Sequence, residues 1–162
     1  MSDPRWLDDL ESRAWRGYMA MTQLLETEVN RGLKQDADLS LSDYRVLVPL
    51  SEAEGHRLRM QDLAAEAHFE KSRLSHQIRR MESRGLVRRE ECPTDARGAF
   101  AIITPEGLKA IRMAAPLHVA RVRRILIDSL TRDQLNCLAD IATGVVDRLG
   151  TPADAAARTP GN

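Results

Sequence analysis

The sequence predicts a mainly α-helical protein with one small β-hairpin. Apolar residues recur at three- and four-residue steps through most of the 162-residue chain, which is the spacing of amphipathic helices. Patterns typical of helix starts occur at Thr104-Pro105 and at Thr131 with Gln134. Two short strand-like runs between residues 86 and 104 flank a turn-forming segment. Helices at both ends of the chain should therefore enclose a small strand-containing middle.

The N-terminal part contains two long helices and a linker. Residues 5–32 have a helical period and form the first helix, and residues 33–41 form a polar linker. Ser42 is placed to cap the second helix, with Asp43 in the first turn, where the helix dipole favours an anion. Pro49 should kink or shorten this helix.

The middle of the chain alternates short elements. In order, they are a strand at Leu58–Met60, a helix at Gln61–Ala67, a turn at His68–Glu70, a helix at Lys71–Arg84, a strand at Leu86–Glu90, a turn at Cys92–Gly98 and a strand at Ala99–Thr104. Gly85 lies where a left-handed helix cap is favoured. Two helices joined by a turn and followed by a hairpin predict a winged helix-turn-helix lobe over residues 42–104.

The C-terminal part is helical again. A helix that starts at Pro105 should bend at Pro116, and a capping box at Thr131 opens a last helix that ends near Leu149. Residues 150–162 lack an apolar period and are expected to form a disordered tail.

Composition and charge exclude several classes of protein. The net charge is zero, from 24 basic and 24 acidic residues, so bulk positive charge does not hold this chain to nucleic acid, although a local patch could. No apolar run reaches about 18 residues and no signal-like stretch is present, so we expect a cytoplasmic protein without a membrane partner. Two cysteines and four scattered histidines predict no disulfide scaffold and no metal site. Without a phosphate-binding loop or nucleophile elbow, we expect neither an enzyme nor a cofactor.

The helix at 71–84 has two chemically distinct sides. Leu74, Ile78 and Met81 form a narrow apolar stripe that should face the core. The segment from Lys71 to Arg89 carries seven basic residues and one acid, a local charge of +6 in a neutral protein. A solvated helix face without a partner is the alternative, but the hairpin that follows favours duplex DNA.

Side chains on the exposed side of this helix are hydrogen-bond donors. Those expected to reach base edges are Ser72, Arg73, Ser75, His76 and Arg79. Those better placed for phosphates or for structure are Arg80, Arg84, Arg88 and Arg89. In the hairpin turn, Asp95 can orient Arg97 toward a narrow minor groove, with a weak surface ion pair as the alternative.

Four short motifs follow one another in this region. They are DLAAEA, SRLSHQIRRMESRGLVRR, the pattern D-x-R-G-x-x-x-x-x-T from Asp95 to Thr104, and P-E-G. Together they resemble the MarR family of bacterial transcriptional regulators, and the flanking helices match in order and length over roughly residues 5–149. The resemblance implies a winged-helix homodimer that binds a pseudo-palindromic operator, usually as a repressor released by a small ligand or by oxidation. It also implies DNA contacts from the helix face named above and from Asp95 and Arg97.

A homodimer also follows from geometry. One winged helix reads about half of a site, and a twofold pair places two reading helices about 34 Å apart, one turn of DNA. The segments 5–32 and 105–149 carry apolar residues that could build a shared core, so we expect them to form a helical dimerisation region. An intrachain core in a monomer is the alternative.

A possible effector site is less well defined by the sequence. In proteins of this kind it lies between the dimer helices and the DNA-binding lobe. An aromatic wall with one arginine would suit an aromatic carboxylate or a phenol. Candidate lining residues are Trp15, Tyr18, Met19, Tyr44, Arg45, Met113 and His118. An ordinary place in the core or on a helix surface is the alternative for each.

Two other functions stay open. A redox-responsive regulator could use Cys92 near the hairpin, although Glu90 and Glu91 disfavour its thiolate. Cys137 is expected to be buried and inert. A winged-helix module that binds protein rather than DNA is the third possibility, but it gives no reason for the basic segment.

Overall fold

The computed structural model describes residues 4–92 and 95–150, with the backbone alone for residues 92 and 95–97. The helices are α1 (Asp9–Ala37), α2 (Leu41–Glu52), α3 (Met60–Glu66), α4 (Lys71–Glu82), α5 (Pro105–Ile125) and α6 (Arg132–Leu149). The strands are β1 (Arg57–Arg59), β2 (Val87–Cys92) and β3 (Asp95–Ile103), and short 3-10 turns lie at Glu54–His56 and Ile127–Ser129. The predicted fold class, mainly α with a small hairpin and a winged helix-turn-helix, is confirmed.

The first helix is shifted toward the C-terminus relative to the prediction. It begins after Asp8, whose side chain forms a capping box with Glu11, and it runs to Ala37 through most of the predicted linker. Leu33 continues the apolar period and is buried, as is Leu39 just beyond the helix. The linker prediction was therefore wrong, because burial of these leucines extends the helix and fixes the chain after it.

The second helix begins two residues earlier than predicted. Its N-cap is Ser40 rather than Ser42, and Ser40 forms a capping box with Asp43. Pro49 lies inside the helix, which nevertheless continues to Glu52.

The three strands form an antiparallel sheet in the order β1-β3-β2. The hairpin is tighter than predicted, because Cys92 pairs with Asp95 across the two strands. Asp95 and Arg97 therefore lie on β3 rather than in a long turn, and residues 93–94 are outside the described residues.

One hydrophobic core joins α2, α3, α4 and the sheet to the end of α1 and the start of α5. Its largest fully buried side chains include Phe69, Leu39, Leu47, Leu50, Leu63 and Leu74. Burial of each such side chain contributes about 1.5–3 kcal/mol relative to exposure. The start of α5 touches the sheet directly, since a Cβ at Gly107 would lie 2.8 Å from Cγ1 of Ile103 on β3. The core thus makes one rigid lobe of the residues predicted to bind DNA.

The C-terminal helices begin as predicted. Thr104 caps α5, which contains Pro116, and Thr131 forms a capping box with Gln134 at α6. α5 ends at Ile125, three residues before the predicted Asp128. None of the residues of α6 is buried in this subunit. The predicted tail from residue 151 onward lies outside the described residues, and no helix of the described ranges is long and apolar enough to cross a membrane.

A buried carboxylate ties the helix-turn-helix together. Asp43 on α2 is 2% exposed. Its oxygens accept hydrogen bonds from Nε2 of Gln77 at 2.6 Å and from Nη1 of Arg84 at 2.7 Å. The Ser40 backbone N–H donates to the same carboxylate at 2.8 Å. Arg84 also donates to the Asp38 carbonyl. Asp43 therefore holds both α4 and the turn after it against α2.

Removing this carboxylate should destabilise the lobe. We expect Asp43→Ala to lower the free energy of unfolding by about 2–4 kcal/mol, because Gln77 and Arg84 lose their shared acceptor. Asp43→Asn should cost less, since the amide keeps one acceptor. Urea denaturation followed by circular dichroism measures both. Ser42→Ala is the matched control and should change stability by less than about 0.5 kcal/mol. An equal loss in the two alanine variants would contradict the role of Asp43.

Candidate nucleic-acid interface

The fourth helix is anchored by one face and open on the other. Leu74, Ile78 and Met81 are each no more than 1% exposed, which confirms the predicted apolar stripe. Gln77 completes the buried side through its bond to Asp43. Because the buried side is fixed, the direction of every exposed side chain on α4 is set by the core.

The predicted DNA-contacting side chains of α4 lie on its open face. Ser72, Arg73, His76, Arg79 and Arg80 are all exposed. Ser75 is half-buried, and its hydroxyl donates to the Lys71 carbonyl at 3.0 Å, so this donor is already engaged. The structure thus brings five of the candidates together on one surface, with Ser75 at its margin.

Contacts within the lobe hold two of the arginines. The Arg73 guanidinium lies 5.0 Å from the centre of the Phe69 ring, a cation–π distance that limits its motion. Arg84, by contrast, is turned toward Asp43. The sequence leaves two roles open for Arg84, a phosphate contact or a contact that stabilises the fold. This geometry favours the second.

The start of α4 lacks a side-chain cap. α1, α2 and α6 begin with capping boxes and α5 with a Thr104 cap, but the residue before α4, Glu70, makes no side-chain cap bond. The first turn of α4 contains no acidic residue. The first backbone N–H groups of α4 therefore receive no side-chain acceptor from its N-cap residue.

Adjacent arginines on β2 point to opposite faces of the sheet. Arg88 pairs with Ile102 across the strands and makes an ion pair with Glu90 at 2.8 Å. Arg89 pairs with buried Ala101, so it shares the sheet face that packs toward the helices. Arg88, a predicted DNA contact, stays a prediction, but it points away from α4.

The tip of the wing is defined by its backbone only. Asp95 and Arg97 lie at the start of β3, and their side chains are outside the described residues, as is that of Cys92. Their predicted roles stay predictions.

A basic cleft between α4 and the sheet is not predicted by the local sequence patterns. The cleft has a volume of 360 Å³, and its described lining includes Arg59, Lys71, Ser75 and Arg89. Of these, the sequence pattern indicates no role for Arg59, and Lys71 contributes only to the local charge. The alternation of side chains along β2 was the available signal for Arg89.

The predicted effector residues fall into separate groups. Tyr44 and His118 are in contact, with ring centres 4.4 Å apart. Trp15 and Tyr18 stack at 6.1 Å on the exposed side of α1. Tyr44 and Arg45 line a cleft of 240 Å³ whose lining includes neither Trp15 nor Tyr18. One subunit therefore assembles only part of the predicted site.

The charge states near Tyr44 are shifted by burial. Burial, and secondarily Arg121, lowers the pKa of His118, so its imidazole is neutral at pH 7. Burial, with a smaller contribution from Glu52, raises the pKa of Tyr44. Nδ1 of His118 is buried without a hydrogen-bond partner among the described residues.

Two predictions about metals and cysteines can be compared with the structure. No cluster of three or more potential metal-ligating residues lies within the described ranges. Cys137 is exposed in this subunit, so the expectation of a buried thiol was wrong for the isolated chain. The reason is that α6 packs no face into the subunit core.

Known proteins share this fold and sequence. A model of the MarR family matches residues 37–98. The transcriptional regulator HosA of Escherichia coli O111:H- is 31% identical over 102 residues, which cover 63% of this chain and 74% of HosA.

Two solved structures are more similar over a greater length. Sco3205 of Streptomyces coelicolor, a MarR family transcriptional regulator solved in complex with DNA, is 43% identical with a TM-score of 0.88, over 94% of this chain and 95% of that one. AbsC of the same organism is 46% identical with a TM-score of 0.86, over 90% and 98%. Because the family and these relatives are transcriptional regulators, an enzymatic function is excluded as predicted. The chain belongs to the MarR family of transcriptional regulators.

Proposed function

We propose that this regulator is a repressor that binds a pseudo-palindromic DNA operator as a homodimer and is released by a small ligand. One observation carries the proposal: the exposed face of α4 is built of cationic and polar donors while its other face is locked into the core. The segment from Lys71 to Arg89 carries a charge of +6 in a neutral chain. Arg84 and Arg88 pair with Asp43 and Glu90, and the remaining cations favour an anionic partner. The relative Sco3205, of nearly the same length, was solved with DNA.

The reading surface divides into base contacts and phosphate contacts. Arg79 lies on the exposed side of α4, and its planar fork matches guanine O6 and N7. Arg80 lies on the flank of that surface, where a phosphate is the natural partner. A module that binds protein instead would have no use for this separation of donors. The side chain of Cys92 lies outside the described residues, so nothing here favours redox control.

Comparing Arg79 and Arg80 tests the division. We expect Arg79→Ala to weaken binding to the selected operator by about 1–3 kcal/mol while changing affinity for random DNA little. Arg80→Ala should weaken both by the same factor, because phosphates carry no sequence information. Fluorescence anisotropy with an operator obtained by in vitro selection, and with a scrambled duplex at the same salt, measures both. Equal small losses in the two variants on both duplexes would contradict the assignment.

The dimer is supported by apolar surface at the two chain ends. α6 has no buried residue, yet it carries exposed apolar side chains on one side. Exposed apolar side chains also lie just before α1, in its first turn and on α5. Over these segments and α6 they include Trp6, Leu7, Leu10, Leu117, Ile141, Val145 and Leu149. A monomer would leave this surface in water, whereas a twofold pair would bury it.

A charge within this surface should disrupt the dimer. Ile141 is 65% exposed in the subunit. We expect Ile141→Asp to raise the dimer dissociation constant by more than about tenfold, because each dimer would bury two unpaired carboxylates. Thr143→Asp, on the other side of α6, should have little effect. Sedimentation equilibrium distinguishes these outcomes, and a wild-type monomer at micromolar concentration would refute the dimer.

The effector site is proposed around Tyr44, Arg45 and His118. The cleft beside Tyr44 is small and lies on the helix that also carries Asp43, so an occupant could act on the reading helix. Arg45 is half-exposed and only weakly paired, with 3.8 Å to Glu26, so its guanidinium is accessible to an anion. An aromatic carboxylate or a phenol fits this combination of ring and cation.

A panel of small aromatic compounds tests the proposed effector site. We expect at least one benzoate or phenol at millimolar concentration to raise the melting temperature and to lower operator affinity. Arg45→Ala should abolish both effects for a carboxylate, whereas Arg124→Ala, in the last turn of α5, should keep them. Differential scanning fluorimetry and anisotropy give the two readings. Unchanged operator affinity across the whole panel would contradict release by such molecules.

A further inference from the structure

The basic cleft lies between the two parts of the lobe that approach DNA. Its described lining comes from the β1–α3 junction, the first two turns of α4, β2 and β3. Lys71 of α4 and Arg89 of β2 both line it, as does Arg59. Of the described lining residues none is acidic. The cleft is therefore a concentrated positive site within the basic segment.

Two nearby acids, Glu82 and Glu90, are held in other contacts, whereas Glu91, which pairs with Ala99, shares the sheet face of Arg89. Glu82 is the single acidic residue between Lys71 and Arg89. Its Oε1 accepts the Arg89 backbone N–H at 2.7 Å, which holds β2 against the end of α4. Glu90 is directed to the opposite sheet face, where it pairs with Arg88. Both carboxylates thus fix the strand and leave the Arg89 side chain exposed toward the cleft.

The position of the cleft determines which part of a duplex can meet it. A helix in the major groove and a wing at the neighbouring minor groove are separated by one sugar–phosphate strand. A cleft between that helix and that wing must lie over this strand. This step rests on the proposed function, in which α4 enters the major groove.

We propose that the cleft seats a backbone phosphate of the strand between the two grooves, held by Lys71 and Arg89. Ser75 forms a wall rather than a donor, since its hydroxyl already bonds the Lys71 carbonyl. Arg59 also lines the cleft, but its guanidinium lies 5.4 Å from the Phe100 ring centre, on the sheet face opposite to Arg89, so it is not part of the proposed site. Arg89, rather than its neighbour Arg88, is the phosphate-binding arginine of β2.

Salt dependence of binding to a random-sequence duplex tests the proposal without knowledge of the operator. The slope of log Kobs against log salt reports the number of phosphates neutralised, at about 0.9 for each. We expect Lys71→Gln and Arg89→Gln each to flatten this slope, by up to about 1.8 in a dimer that loses one phosphate contact in each lobe. Arg124→Gln is the matched control, because it removes one charge at the end of α5 remote from the wing. Melting temperatures check that the variants fold.

The outcomes separate the two proposals. Wild-type protein that binds no duplex at low salt refutes the proposed function together with this inference. Wild-type protein that binds DNA, with slopes unchanged in Lys71→Gln and Arg89→Gln, refutes the phosphate seat alone. An equal flattening in Arg124→Gln also refutes it, because bulk charge would then explain the effect.

A second measurement addresses the phosphate itself. Neutral methylphosphonates are placed one at a time along one strand of a selected operator. We expect one position per half-site, between the major-groove contact and the flanking minor groove, to weaken wild-type binding but not binding by the Lys71→Gln/Arg89→Gln double variant. Equal sensitivity of both proteins at every position would overturn the assignment.

Discussion

The arrangement of the reading surface depends on one buried carboxylate. Asp43 accepts hydrogen bonds from Gln77 on α4 and from Arg84 beyond it, and it caps its own helix through Ser40. A carboxylate removed from water is costly unless its oxygens are filled, and here three donors fill them. The apolar stripe of α4 could pack with small rotations, because hydrophobic contact is not directional. The directional bonds to Asp43 select one rotation, and that rotation sets where Arg79 and its neighbours point.

Three acidic side chains of the lobe are held away from the surface proposed to meet DNA. Asp43 is turned into the core, Glu82 accepts a backbone N–H, and Glu90 pairs with Arg88 on the far sheet face. The chain has no net charge, so its positive potential comes from placement rather than from excess. A neutral protein with one basic face turns that face toward a polyanion such as DNA. This orientation favours binding through the reading surface over non-specific binding through other surfaces.

Local sequence patterns predicted the helices and strands better than they predicted the long-range contacts between them. The stripe on α4, the Thr131 capping box and the left-handed Gly85 each follow from a few neighbouring residues. The true cap of α2 was also readable, since Ser40 and Asp43 have capping-box spacing and Ser42 lacks such a partner. The hydrogen bonds of Asp43 with Gln77 and Arg84 join residues that are 34 and 41 positions apart in the sequence, so no local pattern predicts them. The cleft was missed because it exists only once β2 and the start of α4 are side by side.

The same helix that anchors α4 also touches the C-terminal part of the fold. Tyr44, next to Asp43, meets His118 of α5, and α5 begins in contact with the sheet at Gly107. Arg121, one turn beyond His118, bonds Asp36 at the end of α1 at 2.8 Å, crossing α1 at Gly32, where a Cβ would collide with it. Close packing of this kind transmits displacement rather than absorbing it. In the proposed dimer, a ligand beside Tyr44 would therefore have two effects from one position. It would change the distance between the two DNA-binding lobes through α5, and it would change the rotation of α4 through Asp43.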